Sequence, residues 1–438
     1  MPPFTLQQAA QHFEAGRFDE AAQLCRALLA REPNDPEANH LLGLICYRQG
    51  DNLAARDLLE RATSTGRGTA RMYSNLGAVL NLLGQAEQAA AAYHRALALE
   101  PNSPWALNNV GVIYRNNGRP NEAIDAFKRA LALKPDFADA RINLRLVYKD
   151  LVPQWHFAMM NDASRNDAYE AAISRAVAGK RVLDIGTGGA LLSLMAAHAD
   201  AKSVVSCEAV GIIAWQARDI VARNRLSDRI TVIPKRSTEL IVGQDLPERA
   251  EVLITETFSS NVIDEGILPT IEDAHQRLLV PGATIIPVAA SAMGFLVGGG
   301  VLQEMLFVDR IKGFDLNSFN EFAPPRLVVP LDGVPHDVLS DDVELLRFDL
   351  RSQVFPMAGR ECTMLVTKPG LCIGVAQWIQ LELDAKTTYR NRPLPSGHNT
   401  HWPNIVYRFP KPLTVKLGDV VRLIARHDRA EINVDLVG

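Results

Sequence analysis

Four glycines, Gly16, Gly50, Gly84 and Gly118, stand 34 residues apart, and an alanine follows each by five residues, at Ala21, Ala55, Ala89 and Ala123. A period this long is neither a heptad nor a strand alternation; it requires one supersecondary unit repeated along the chain. A second glycine recurs at Gly43, Gly77 and Gly111, a further small residue at Ala62, Ala96 and Ala130, and prolines at Pro33, Pro101 and Pro135 close three of the units. Each unit reads as a helical hairpin: small residues let its helices approach, the repeated glycine turns the chain, and proline stops the second helix. Such hairpins must stack to bury their faces. Four fill residues 2–137, and the segment from Phe137 to Tyr148 reads as a capping helix with Arg141, Arg145 and Lys149 on its outer face. The second unit departs, with Arg67 where proline should close it.

This spacing resembles the tetratricopeptide repeat, which implies an all-α superhelix whose usual task is to hold partners. Asn75, Asn109 and Asn143 also fall 34 apart and form a ladder. Side-chain amides arranged so can hydrogen-bond the backbone of an extended protein or peptide substrate without reading its side chains. The alternative is that they cap or solvate the groove.

At 438 residues the chain has room for further domains beyond the repeats. Lys+Arg 46 against Asp+Glu 50, without a dense basic run, argues against a nucleic-acid partner. Apolar stretches fall far short of the roughly 18 residues a membrane span needs, and the N-terminus lacks a signal-peptide pattern, so no membrane partner is expected. Cys25, Cys46, Cys207, Cys362 and Cys372 form no CxxC pair. They suit a reducing, cytoplasmic setting and exclude a zinc knuckle. His398 and His401 have no neighbouring cysteine or acid to complete a ligand set, so no metal is expected.

From residue 151 the period changes. Arg181 to Ile185 reads as a strand, Gly186 to Gly189 as a tight turn, Leu191 to Ala199 as a helix, and Ser203 to Glu208 as a strand ending in an acid. A nicotinamide-binding unit wants GxGxxG, but Leu191 stands where its third glycine belongs. The pattern fits S-adenosylmethionine better: glycines admit the methionine portion, and Glu208 accepts hydrogen bonds from ribose hydroxyls. The usual third glycine of that motif is Ala190 here. Strands at Ile230 to Ile233, Glu251 to Thr255 and Thr284 to Val288 complete a doubly wound sheet whose ligands gather at strand carboxyl ends. After the fourth, ITETFSSNVIDEGILP places Glu256 and Glu265 around one loop. Two converging carboxylates repel unless a cation lies between them, and the planar fork of a guanidinium matches both.

That loop resembles the double-glutamate loop of protein arginine methyltransferases. Thr400-His401-Trp402 matches the family's THW loop, and MMNDASR, holding Asp162 and Arg165, matches its N-terminal catalytic helix. The resemblance covers residues 150–438, and the WHFAMMND and DEGILP forms look closest to the branch in which tetratricopeptide repeats precede the catalytic module. It implies that Arg165 pairs with the cofactor's carboxylate, that Asp184, Gly186 and Gly188 shape the methionine pocket, that Glu208 holds the ribose, and that Ser237, Thr238 and Glu239 face the adenine. It further implies that Glu256 and Glu265 clamp the target guanidinium, that His401 paired with Asp162 steadies the region or accepts the proton, and that Met159, Met160 and Trp402 wall the pocket. The family's nearest relatives lean towards monomethyl or symmetric dimethyl products.

From Ala289 the chain reads as strands broken by prolines and glycines, a β-barrel-like domain. The family resemblance adds a dimerisation arm around residues 302–323, and hence a homodimer. The expected architecture is multidomain: repeats over 1–150, an α/β Rossmann-like methyltransferase domain over 151–288, and a β-barrel domain over 289–438. Two other readings stand beside it. One is a repeat-based adaptor with an inactive methyltransferase fold, which the intact carboxylates, Arg165 and the THW loop oppose. The other is a lysine, amine or small-molecule methyltransferase, whose deprotonated nucleophile two carboxylates disfavour.

Overall fold

A computed structural model of the protein describes residues 5–64, 66–152, 155–393 and 402–437. The chain divides into two compact units, Met1–Val152 and Pro153–Gly438.

The first unit is built of helix pairs: α1 and α2 (Leu6–Glu14, Phe18–Leu29), α3 and α4 (Pro36–Arg48, Asn52–Ser64), α5 and α6 (Ala70–Leu82, Ala86–Leu99), and α7 and α8 (Pro104–Asn116, Pro120–Leu133), followed by α9 (Ala138–Leu151). Asp35, Thr69 and Ser103, themselves 34 apart, cap the first helix of successive pairs by accepting the N–H of Ala38, Met72 and Ala106. Each turn ends in the left-handed region at Gly16, Gly50, Gly84 and Gly118. The following N–H reaches back five residues, as from Arg119 to the Tyr114 carbonyl at 2.9 Å, which satisfies the carbonyls the helix leaves open. Helix α9 runs to Leu151, three residues past the predicted end, and Val152 is extended because the residue before a proline avoids the helical region.

The other recurring glycine has a packing role. A methyl group added at Gly43 would lie 2.9 Å from Leu59 Cγ, at Gly77 2.8 Å from Tyr93 Cε2, and at Gly111 2.6 Å from Phe127 Cε1. The large side chain of each second helix therefore rests on the bare backbone of its own first helix. Phe127, Tyr93 and Leu59 are almost wholly buried there. Gly111→Ala is expected to destabilise the protein by roughly 1–3 kcal/mol through overpacking, against a helix-propensity gain of about 1 kcal/mol, as measured by denaturant unfolding.

The second unit opens with α10 (Trp155–Met160) and α11 (Ala163–Ala176), then alternates β1 (Arg181–Ile185), α12 (Leu191–His198), β2 (Ser203–Cys207), α13 (Gly211–Arg223), β3 (Ile230–Ile233), β4 (Ala250–Thr255), α14 (Ile267–Asp273) and β5 (Leu279–Ile286). The five strands are parallel in the order β3-β2-β1-β4-β5. Strand β5 begins five residues before its predicted start. The pairing with β4 shifts register between Ala250 and Val252, which absorbs the Pro281-Gly282 pair that otherwise signals a break. The order reverses between β1 and β4, the place where such sheets receive ligands. Register sharpens this: Ile185 pairs with both Cys207 and Thr255, so Gly186, Glu208 and Glu256 leave the sheet side by side.

The remainder is antiparallel and β-rich: β6 (Ala289–Gly298), helix α15 (Gly300–Leu306), the hairpin β7 and β8 (Arg310–Ile311, Phe314–Asp315), then β9 (Arg326–Val329), β10 (Asp337–Val338), β11 (Val343–Asp349), β12 (Ala358–Leu365), β13 (Gly370–Glu382), β14 (Thr388–Arg390), β15 (Asn404–Val415), β16 (Val420–His427) and β17 (Ile432–Leu436). One sheet follows β10-β6-β13-β15-β9, with β11 on β6 and β14 on β13, and a second follows β12-β16-β17. One apolar core runs from the parallel sheet into these strands, through residues such as Leu253, Ile286, Leu296 and Val375. Among the described residues no helix is long and apolar enough to cross a membrane.

Candidate active site

The turn after β1 is bare backbone because nothing else fits. Gly186 has φ +87°, and a Cβ there would meet Thr257 Cγ2 at 2.6 Å; one at Gly189 would meet Met160 Sδ at 2.7 Å. Met159 Cε lies 3.8 Å from where a Cβ on Gly188 would stand, so α10 closes over the turn with both methionines. Ala190, in place of the motif's usual glycine, is itself left-handed at φ 63°.

Beneath the turn, buried Asp184 accepts from Ser193 Oγ at 2.5 Å and Ser206 Oγ at 3.1 Å through Oδ2, while its Oδ1 has no partner among the described residues. Burial pushes this carboxyl up to about 6, against the two serine hydrogen bonds that favour the anion. Beside it Glu208 accepts the N–H of Gly188 at 3.1 Å and of Val210 at 2.9 Å. An orphaned carboxylate oxygen, a second acid and a turn with no room for side chains fit a ligand that brings a cationic group and hydroxyls. Ser237, Thr238 and Glu239 form a short 3-10 turn at the edge of this region. Arg277 anchors it, donating to the carbonyls of Ser237 at 3.2 Å and Leu240 at 2.8 Å, and is itself held by Asp273.

Glu256 leaves β4 next to this turn. Arg165 Nε donates to its Oε1 at 2.8 Å, Nη2 pairs with Oε2, and Nη1 donates to Asn166 Oδ1 at 2.7 Å. Arg165 is buried on the first turn of α11, over the ring of Tyr169. Asp162 caps that helix by accepting the Arg165 N–H at 2.9 Å, and it accepts the Tyr389 hydroxyl at 2.7 Å. Glu265 closes the loop at its far end. Among the described residues it has no hydrogen bond or ion pair, and its carboxyl is pushed above the ordinary range, first by burial and then by neighbouring Asp264. Trp402 is buried, donating Nε1–H to the Phe258 carbonyl at 3.1 Å, with its ring 5.8 Å from that of Tyr389.

The structure thus brings Asp162, Arg165, Asp184, Glu208 and Glu256 to adjacent strand ends, with Met159 and Met160 above. Thr400 and His401 lie outside the described residues. The asparagine ladder belongs to the other unit, and its amides bond neighbours: Asn75 Nδ2 meets His40 Nε2 at 2.9 Å, Asn143 Nδ2 donates to Asn108 Oδ1 at 3.0 Å, and Asn109 Oδ1 accepts from Asn108 at 3.3 Å. A 34-residue period sets Asn75 and Asn143 opposite the helix one repeat back, so side chains 35 apart meet. Tyr389, Arg277, Gln377 and Asn261 are absent from the sequence reading. Each acts through a contact at long sequence separation, for which no local pattern exists. Among the described residues no cluster of His, Cys, Asp and Glu is arranged to hold a metal.

Comparison with known proteins agrees with both halves. Tetratricopeptide-repeat family models match residues 12–79 and 68–136. An arginine N(omega)-methyltransferase from Streptomyces achromogenes subsp. streptozoticus is 36% identical over 274 residues, covering 62% of this chain and 75% of that protein. Protein arginine N-methyltransferase 7 of Drosophila erecta is 31% identical and that of mouse 33%; the matches cover 63% and 62% of this chain but only 47% and 44% of those proteins. The fold is similar to that of the PRMT1 enzyme–prozyme complex with AdoHcy from Trypanosoma brucei (TM-score 0.56, 21% identity, 65% of this chain and 94% of that one). It is also similar to protein arginine methyltransferase 10 of Arabidopsis thaliana (0.53, 19%, 64% and 90%). The chain belongs to the protein arginine methyltransferase family and carries tetratricopeptide repeats ahead of the methyltransferase unit.

Proposed function

We propose that the protein is an S-adenosylmethionine-dependent protein arginine N-methyltransferase. The observation that carries this reading is the loop after β4, where Glu256 bears Arg165 along one edge and Glu265 has no hydrogen bond or ion pair among the described residues. When bound, S-adenosylmethionine supplies a sulfonium methyl group. Asp184 takes its ammonium, Glu208 its ribose hydroxyls, the Ser237-Thr238-Glu239 turn faces its adenine, and Gly186 and Gly188 leave space for the methionine portion. Arg165 keeps N–H donors beyond those it gives Glu256 and Asn166, enough to meet the cofactor's carboxylate. Glu256 and Glu265 hold the target guanidinium, localise its charge on one nitrogen, and leave another free to receive the methyl group. His401 with Asp162 steadies the region or takes the proton released, and Trp402 backs the loop.

In this reading residues 151–288 serve the cofactor, 289–438 shape the substrate side, and the repeats over 1–150 recruit a protein substrate in the cytoplasm. Phe314, Phe319 and Phe322, all strongly exposed in the segment after α15, supply the apolar face of an arm for a homodimer. A second reading, methylation of free arginine, is favoured by the name of the Streptomyces relative, which specifies arginine rather than protein arginine. Labelled S-adenosylmethionine offered with an arginine-containing peptide and with free L-arginine separates the two, with mass spectrometry of hydrolysed products. Methylarginine in the peptide is expected, label on free arginine alone selects the second reading, and no label despite cofactor binding points to an adaptor.

A further inference from the structure

The β-rich half holds the loop that carries both glutamates at successive places. Trp402 holds the Phe258 carbonyl, and Gln377 Nε2 on β13 donates to the Ser260 carbonyl at 2.7 Å. Asn261 exchanges two bonds with Ile432 on β17, accepting its N–H at 2.8 Å and donating to its carbonyl at 3.3 Å. Gln377 and Asn261 are buried, and because the Ser260 carbonyl can only accept, it fixes which way the Gln377 amide points, with Oε1 3.0 Å from the Tyr407 hydroxyl. The next residue, Val262, is buried and sits at φ 73°. A β-branched side chain rarely adopts this left-handed conformation, and such strain persists only where the surroundings over-determine it. Within the loop itself the Val262 N–H bonds the Ser259 carbonyl at 2.9 Å and Ser259 Oγ accepts the Asn261 N–H at 2.9 Å, so local turn contacts and the grip from outside act on the same residues.

We infer that Gln377 and Asn261 are positioning residues for methyl transfer: they hold the loop in its strained left-handed turn at Val262, and that turn sets the spacing of Glu256 and Glu265 around a guanidinium. The inference rests on the guanidinium-clamp reading above. Without the grip, Val262 relaxes to negative φ and one glutamate moves relative to the other. Displacement on the ångström scale in a positioning contact costs up to about 10²-fold in rate.

Gln377→Leu is expected to raise KM for an arginine peptide about tenfold and to lower kcat, with KM for S-adenosylmethionine within about twofold of wild type. The decisive measurement adds Val262→Gly. Glycine enters the left-handed region without strain, so Gln377→Leu/Val262→Gly should recover about threefold or more of the lost kcat/KM. It should also melt lower than Gln377→Leu, because a buried isopropyl group is lost. Activity and stability then move in opposite directions, which a merely structural glutamine would not produce. Asn261→Ala, alone and with Val262→Gly, repeats the test if Gln377→Leu does not fold. Wild-type kinetics in the single variants, or no recovery in the double, overturns the inference while leaving the clamp standing if the wild-type protein makes methylarginine. A wild-type protein that binds S-adenosylmethionine and methylates no arginine overturns both.

Discussion

Glu265→Gln is expected to reduce kcat/KM for arginine methylation by about 10³-fold while S-adenosylmethionine binding stays at the wild-type level. The substitution keeps shape and volume and removes one charge, so it isolates the electrostatic role. Glu256 already carries the guanidinium of Arg165 on one edge, whereas Glu265 has no cation beside it among the described residues. The raised affinity of Glu265 for a proton has the same origin: desolvation by the protein around its carboxyl, in a residue whose surface is otherwise exposed, and the charge of Asp264 both disfavour the bare carboxylate. A guanidinium placed there relieves both. Because protonation removes the charge the substrate needs, the acid limb of the kcat/KM profile should lie above the usual carboxylate range, with activity lost as pH falls. Radiolabel transfer across pH, with calorimetric titration of the cofactor, reads both effects. Wild-type turnover by Glu265→Gln would sink the clamp.

The second large effect concerns the repeats. His40 is buried and 2.9 Å from Asn75 Nδ2, an amide nitrogen, which can only donate, so the ring nitrogen accepts and the imidazole is neutral. Burial, and then the positive charge of Arg71, pushes its pKa down to about 4. In the unfolded chain it titrates near 6.5, so between these values the unfolded state holds a proton that the folded state refuses. Stability is therefore complete above pH about 6.5 and is lost as pH falls towards 4, by about 2 kcal/mol between pH 7 and 5. Urea unfolding of the full chain should show this decline, and His40→Gln, which keeps an acceptor for Asn75, should flatten it. Equal pH slopes for the two proteins would remove His40 as the cause.

What could be read in advance follows from the range of the interactions. The hairpins were legible because glycine and alanine positions recur at a fixed spacing, each recurrence reporting one local geometry. The turn after β1 was legible because Asp184, Gly186, Gly188 and Glu208 fall within one strand-turn-helix-strand passage. That Glu256 and Glu265 share one loop after β4 was legible from their spacing of nine residues. Nothing local, however, announces that Arg165 reaches Glu256, that Tyr389 caps Asp162, or that Gln377 holds Ser260, since each link joins segments separated by roughly 90 to 230 residues. The ladder shows how far a period alone can be read. Its period was visible, but whether an amide faces a groove or the next repeat depends on what stands 35 residues away, and there stand His40 for Asn75 and Asn108 for Asn143.

The glycine seats at Gly43, Gly77 and Gly111 bear on how an array like this changes length. In each case the knob and its socket come from the same hairpin, so the tightest steric fit is settled before any neighbour arrives. Duplicating or excising a stretch of 34 residues in phase leaves every seat matched. The joints are less interchangeable, because His40 with Asn75 and Asn108 with Asn143 are different chemistries at equivalent seams. Hairpins behave as modular cassettes, and the polar seams act as the keys that decide which cassette sits beside which.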